Sequence, residues 1–251
     1  MSGGLSSGPL CDPPCDPACW LLIGNSRWHW FQTSALGPRT WSEPPELAAG
    51  SMLRPRRWAA VGPLPEPWPA VLDPADRLAL DQVPLGSLPP WLGIDRALAG
   101  YEAWCRCAAP VLVADAGTAL SLTWVDGAGH FRGGRLMAGA LLQLQALHRG
   151  TAALPAVPWQ QLAPEPWPLQ TDAAMASGVL EGLAGALQRA AEQLLTQEPD
   201  LQLWLTGGDA EGLLPLLQQP IGARPQPWRL APGLCLDGLV RVDGLRPAPG
   251  P

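Results

Sequence analysis

Lysine is absent from this chain of 251 residues; all 16 basic side chains are arginine. That excludes a Walker-type phosphate loop, whose lysine follows its glycine-rich turn, and it excludes Schiff-base chemistry on a lysine amine. Excess positive charge is absent too. A formal net charge of −6 gives no basic footprint for a nucleic acid. No apolar run approaches the roughly 20 residues that span a bilayer. Residues 1–10 have neither the basic start nor the apolar centre of a secretory signal. These absences predict a soluble, cytoplasmic protein with no membrane or nucleic-acid partner. Cys11, Cys15 and Cys19 recur at intervals of four, but no fourth ligand with metal-site spacing accompanies them. Residues 1–19 therefore read as a Pro-rich, disordered tail. Cys105, Cys107 and Cys235 read as core thiols.

Apolar content is ample. At 47% hydrophobic residues, the chain can bury one large core or two moderate ones. Its most informative stretch is Val111-Leu-Val-Ala-Asp-Ala-Gly-Thr-Ala-Leu-Ser-Leu-Thr-Trp-Val125. An apolar run reaches an Asp, turns through Ala-Gly-Thr and leaves in a second run that alternates apolar with small polar residues. That is a hairpin with a carboxylate and small-residue amides at its tip. Such a tip suits phosphate chemistry: Gly117 admits an anion to the backbone, Thr118 offers a hydroxyl, and Asp115 can hold a cation or a water. Trp20-Leu-Leu-Ile-Gly-Asn-Ser-Arg-Trp-His-Trp30 repeats the pattern, and Leu201-Gln-Leu-Trp-Leu-Thr-Gly-Gly-Asp209 is a strand ending in Thr-Gly-Gly. One such turn usually does nothing but turn. Three in this order suggest a nucleotide held between two related lobes.

The remaining elements follow from periodicity and punctuation. Residues 33–92 are dense in Pro, with Trp58–Gly62 as one short strand and Val71-Leu72 as a candidate for another. Residues 94–107 place apolar side chains at 94, 97, 98, 101, 104 and 105, which is helical spacing. A strand over 131–137, helices over 139–149 and 172–197, a strand over 201–206 and a helix near 209–218 follow, with an apolar stretch, Leu234–Val242, at the end. The organisation expected is an α/β protein with duplicated RNase-H-like lobes and mixed sheets: a tail (1–19), a trimmed N-terminal lobe (20–108) and a C-terminal lobe (109–251).

The ordered set Ile23-Gly-Asn-Ser26, Leu92-Gly-Ile-Asp-Arg96, Asp115-Ala-Gly-Thr118, Gly134-Arg-Leu-Met-Ala-Gly139, Ala146–Ala152 with Leu154-Pro155, Thr171-Asp172 and Leu205-Thr-Gly-Gly-Asp209 closely resembles the type III pantothenate kinases. The likeness covers essentially the whole chain from Trp20 and is to a divergent, cyanobacterial-like member. It implies the two-lobe fold of actin, the sugar kinases and the heat-shock ATPases. It also implies a homodimer that uses ATP with Mg2+ and a monovalent cation, K+ or NH4+, to phosphorylate pantothenate in the first step of coenzyme A biosynthesis. Residue roles come with it. Asp95 matches the proton acceptor, and Gly93, Ile94, Asp95, Arg96 and Thr171 match the pantothenate site. Ile23, Gly24, Asn25, Ser26, Arg27, Trp28 and His29, with Thr118, Gly207 and Gly208, match the ATP site. Asp115 matches the cation ligand. Each position has a plainer use: Asp95 as a helix N-terminal carboxylate, Arg96 as a surface charge, Thr171 as a helix N-cap, His29 as a half-buried histidine.

The chain departs from the family in two places. Leu22 stands where the first hairpin usually opens with an Asp, and Trp91 is the candidate for a substrate-packing Tyr that this segment lacks. Leu22 motivates a competing reading as a catalytically weak regulatory or accessory protein. A kinase of the same fold acting on another small alcohol is a third.

Overall fold

The computed structural model describes residues 18–45, 53–61, 64, 70–158, 165–218 and 227–244. Cys11, Cys15 and nearly all of the expected tail lie outside them. Strands Cys19–Ile23 (β1), Trp28–Gln32 (β2), Arg39–Glu43 (β3) and Arg57–Ala60 (β4) form a four-stranded sheet in the order β3-β2-β1-β4. Strands Val111–Ala116 (β5), Ala119–Val125 (β6), Phe131–Ala138 (β7), Gln202–Thr206 (β8) and Arg229–Leu230 (β9) form a second sheet in the order β7-β6-β5-β8-β9. Both contain the same unit: an antiparallel three-strand meander whose first strand pairs in parallel with a later one, β1 with β4 and β5 with β8. The duplicated two-sheet architecture expected from the sequence is present. No helix among the described residues is long and apolar enough to cross a membrane.

Helices Ile94–Cys107 (α1), Ala140–Gly150 (α2), Thr171–Leu195 (α3), Ala210–Leu217 (α4) and Leu234–Gly244 (α5) fill the layers. Strand alternation decides which layer each side chain enters. Val111 and Val113 of β5, with Trp20 and Leu22 of β1, join Ala97, Leu98 and Tyr101 of α1 and Leu234, Leu236 and Leu239 of α5 in one core. Thus α1 and α5 lie between the two sheets. Leu112, Ala114 and Ala116 face the other way, onto α2, α3 and α4. On the far side of the first sheet, Cys19, Leu21 and Ile23 pack with Trp28, Trp30 and Trp58.

Two expectations need correction, and the final apolar stretch, left without an assigned element, takes one. The segment 33–92 holds a strand, β3, that Pro density concealed; it forms because Trp41 stacks on Trp30, its partner across the ladder, at 5.8 Å between ring centroids. Val71 and Leu72 are not a strand, although Leu72 is buried against Trp58. The final apolar stretch is a helix, α5, packed on α1 and β1. Cys19 opens β1 as a buried thiol, its Sγ donating to the Arg54 carbonyl at 3.1 Å. That is a core role for the third cysteine of the expected tail.

Leu22 lies across the ladder from His29 and Ala59 and is only 5% exposed, within the inter-sheet core. A carboxylate there would be a buried charge among apolar side chains. We expect Leu22→Asp to lower stability by roughly 3–5 kcal/mol, read by urea denaturation. A Leu22→Asp variant as stable as the parent would show that this side chain can swing out of the core.

Candidate active site

The tips of the two hairpins meet. Ser26, on the turn between β1 and β2, and Thr118, on the turn between β5 and β6, share a hydrogen bond of 2.6 Å between their hydroxyl oxygens. Asn25, Ser26, Arg27 and Thr118 are all exposed there. Arg27 is drawn aside to β3, donating through Nη2 to the Ser42 carbonyl at 2.7 Å. Glycine shapes the second tip. A Cβ on Gly139, at the end of β7, would overlap the Gly117 carbonyl, so this closing glycine lets β7 and α2 press against the turn. Gly207 ends β8 with φ +96°, in the left-handed region that favours glycine, and a Cβ there would overlap the Ala116 carbonyl and crowd Asp115.

Beneath these tips lies a carboxylate. Asp115 continues the Val111–Val113 face of β5, towards α1 and α5, and keeps some exposure at the mouth of the cleft. Burial and then the like charge of Asp95 push its carboxyl up to about 6, against a small opposing pull from a hydrogen bond given by Cys235. Among the described residues no salt bridge offsets its charge. Asp95 enters on the first turn of α1, where its Oδ1 accepts the Arg96 main-chain N–H at 2.8 Å. Burial raises the Asp95 carboxyl above the ordinary range, and Arg96 only partly reverses this. A raised pKa makes a carboxylate a better proton acceptor.

The other residues singled out in the sequence are dispersed. Arg96 is 8% exposed; its Nε donates to Thr123 Oγ1 at 3.2 Å and its Nη2 to the Leu122 carbonyl at 3.1 Å. It is held against the sheet rather than being a surface charge. Gly93 precedes α1 as its N-cap, and Ile94 is a core side chain. Ile23 and Trp28 point into the outer core, so their side chains do not face the cleft. His29 faces the inter-sheet side, where burial and then Arg27 lower its pKa, leaving it neutral at ordinary pH. Gly208 is exposed beside Gly207. Thr171 is the first residue of α3, not its N-cap, which is Gln170. It is exposed, and no hydrogen bond among the described residues joins it to Asp95 or Arg96. Its helix packs on the sheet face away from α1. Trp91 is 76% exposed.

Two residues of the cleft carried no role in the sequence reading. Asp209 stood inside the Leu205–Asp209 run, and its main-chain N–H donates to the Ala116 carbonyl at 2.9 Å, fixing the start of α4 beside the tip. Burial pushes its carboxyl up to about 6. Cys235 was read as a core thiol; its Sγ lies 3.5 Å from Asp115 Oδ2. No spacing signal distinguishes it from an ordinary buried cysteine.

Two hairpin tips, a buried Asp and a glycine-ended strand, set on two sheets built from the same unit, define the class: the duplicated two-lobe fold of the actin type. Solved structures agree at the level of fold. A Baf-family protein from Campylobacter jejuni aligns with TM-score 0.59 at 16% identity, over 90% of this chain and 97% of its own. An archaeal actin homologue aligns with TM-score 0.52 at 11% identity, over 92% and 100%. Sequence narrows the class. The type III pantothenate kinase family model matches residues 83–193. The type III pantothenate kinase of Synechococcus elongatus is 38% identical over 241 residues, covering 85% of this chain and 93% of the relative. That of Synechococcus sp. strain JA-3-3Ab is 40% identical over 241 residues, covering 88% and 91%. The chain belongs to the type III pantothenate kinase family. The regulatory alternative is not favoured by these relatives.

The buried charge of Asp115 makes a prediction about stability. Its folded-state pKa is raised, so the folded protein holds the proton more tightly than the unfolded chain does. The associated stability is fully present below about pH 4, the unfolded value, and is lost as pH rises through about 6. We expect Asp115→Asn, in potassium-free buffer, to be more stable than the parent by about 1–3 kcal/mol at pH 8. The two should converge as the pH falls towards 4, on paired denaturation curves. Equal stability at pH 8 would mean that the carboxylate is already compensated.

Proposed function

We propose that the protein transfers the γ-phosphoryl group of ATP to the primary hydroxyl of pantothenate, giving 4'-phosphopantothenate, the first step of coenzyme A biosynthesis. The observation that carries this reading is the convergence of Asp95, Asp115 and the Ser26–Thr118 pair on one cleft, in a chain of this family. Phosphoryl transfer asks little covalent chemistry of a protein; positioning and electrostatics do the work. Asp95 accepts the proton of the attacking hydroxyl. Ser26, Thr118 and the main-chain groups of residues 24–27 receive the phosphates, which take the place of the Ser26–Thr118 hydrogen bond. Gly207 and Gly208 border the adenosine. Guanidinium N–H groups of Arg96 not committed to the sheet bind the pantothenate carboxylate.

A carboxylate that is buried and has no cationic partner among the described residues fits a metal ion, and Asp115 is such a group. We assign it to the monovalent cation, K+ or NH4+, which when bound supplies positive charge beside the phosphates; Mg2+ arrives with ATP. The same reading places the protein in the cytoplasm.

The reading includes a homodimer. Of its 11 residues α2 buries only Ala140 and Leu144, leaving Leu141, Leu142 and Leu147 exposed. It follows β7, which ends the five-stranded sheet with one edge unpaired. A second copy covering this face would bury those leucines. It also offers a route by which a Thr171 placed on the sheet face away from Asp95 meets an acceptor in the neighbouring cleft. The double variant Leu141→Glu, Leu147→Glu should then run at half the parent mass in light scattering; an unchanged mass would remove α2 from the interface.

Asp95→Asn tests the chemistry. It keeps size and polarity but removes the base, so pantothenate phosphorylation should fall about 10²–10⁴-fold, with the thermal midpoint and ATP binding retained. Near-normal turnover in the variant would put the proton acceptor elsewhere.

A further inference from the structure

We infer that Cys235 is a positioning residue for this reaction: its thiol holds the Asp115 carboxylate in the orientation that receives the monovalent cation. The inference rests on the cation role proposed above for Asp115. Sγ lies 3.5 Å from Oδ2, an ordinary length for a thiol donor, and among the described residues no other side chain hydrogen-bonds this carboxylate. Oδ1, on the other side, lies against Gly207, where a Cβ would stand only 2.5 Å away. One oxygen is tethered by the thiol, and the other is left beside the one residue type that leaves room for it.

The first hairpin offers no substitute. Its nearest equivalent position is Leu22, packed in the inter-sheet core. Cys235 itself cannot drift. It sits in the first turn of α5, and α5 is fastened to α1 by Asp237, which accepts from Arg106 Nη2 at 2.6 Å, and by Arg241, which is paired with Glu102. The helix that carries Asp95 therefore also fixes the thiol that orients Asp115. A cysteine suits the place: it fills the volume of a small apolar side chain and still provides one donor. Alanine or valine provides none, and Oδ2 would then lie against hydrocarbon and turn to find another partner.

The test compares the full-length parent with Cys235→Ala, Cys235→Val and Cys235→Ser. Valine keeps bulk without a donor, and serine keeps a donor. Two quantities are measured against KCl, with NaCl added to hold ionic strength constant: the thermal midpoint, and the rate of pantothenate phosphorylation. Loss of the donor should raise the potassium concentration for half-maximal stabilisation and half-maximal rate by about 3- to 10-fold, the scale of one hydrogen bond. KM for pantothenate should stay within about twofold, because Cys235 is not among the residues assigned to pantothenate, and Cys235→Ser should recover near-parental potassium response. If the alanine variant does not fold, the valine and serine pair gives the same decision. Unchanged potassium half-saturation in Cys235→Val, or a serine variant as impaired as valine, overturns the inference. A parent with no potassium-dependent midpoint overturns it together with the cation role of Asp115. Phosphorylation of pantothenate is scored separately, so failure of the substrate assignment is told apart from failure here.

Discussion

Glu102 is the hinge on which the cleft is built. It is 3% exposed, in the middle of α1, and receives Arg106 from its own helix at 2.8 Å and Arg241 from α5. Burial alone would push its carboxyl up, but the two guanidinium groups reverse that and hold it below the usual carboxylate range. A buried charge is costly unless it is paired and hydrogen-bonded. Here the pairing joins two helices from distant parts of the chain, and Asp237 on α5 adds a second tie to Arg106. With α1 and α5 locked together between the sheets, their first turns arrive at Asp115 as a unit. Asp95 and Cys235 are then placed by one network rather than by two independent helices.

That placement brings together groups that repel or go uncompensated. Burial raises the proton affinity of both Asp95 and Asp115, and the charge of Asp95 raises that of Asp115 further. Nothing in the fold needs two carboxylates there; an apolar pair would pack more favourably. Function sites are where such arrangements persist. The stabilising work is done further down the same helices, in the apolar faces of α1 and α5 and in the Glu102 network. The divided layer explains how a chain can keep an unfavourable cleft end on a stable body.

The sequence carried much of this and lost the rest for identifiable reasons. Periodicity placed α1 from Ile94 to Cys107 and the β5–β6 hairpin with Asp115 at its tip, because both depend on local apolar spacing. Strand β3 was lost because Arg-Thr-Trp-Ser-Glu between prolines has no alternation to read; it is held by the contact of Trp41 with Trp30. The end of the chain, Leu-Cys-Leu-Asp-Gly-Leu-Val-Arg-Val, alternates enough at its start to resemble a strand, and only its packing on α1 and β1 makes it helical. The motif singled out Arg96, but its anchoring to Thr123 and Leu122 needs the sheet to be folded first. Cys235 is the extreme case. Its chemistry depends on Asp115, 120 residues away.

The two hairpins show where duplication stops. Both end in a small-residue turn, and their hydroxyls touch at Ser26 and Thr118. Their strands differ at corresponding depth: β5 turns Asp115 towards the inter-sheet layer, whereas β1 turns Leu22 there. A second carboxylate at Leu22 would have faced the same low-dielectric layer that already raises Asp115 and Asp95. It would have needed a further cation, and the chain has no lysine to reach in. Leucine instead extends the apolar contact of β1 with α1 and α5, so the first sheet places hydroxyl and main-chain groups at its hairpin tip but no carboxylate. The negative end of the cleft is thereby left to elements of the second sheet and to α1. Its orientation then depends on whatever steadies Asp115. In this chain, that task falls to a thiol on the last helix.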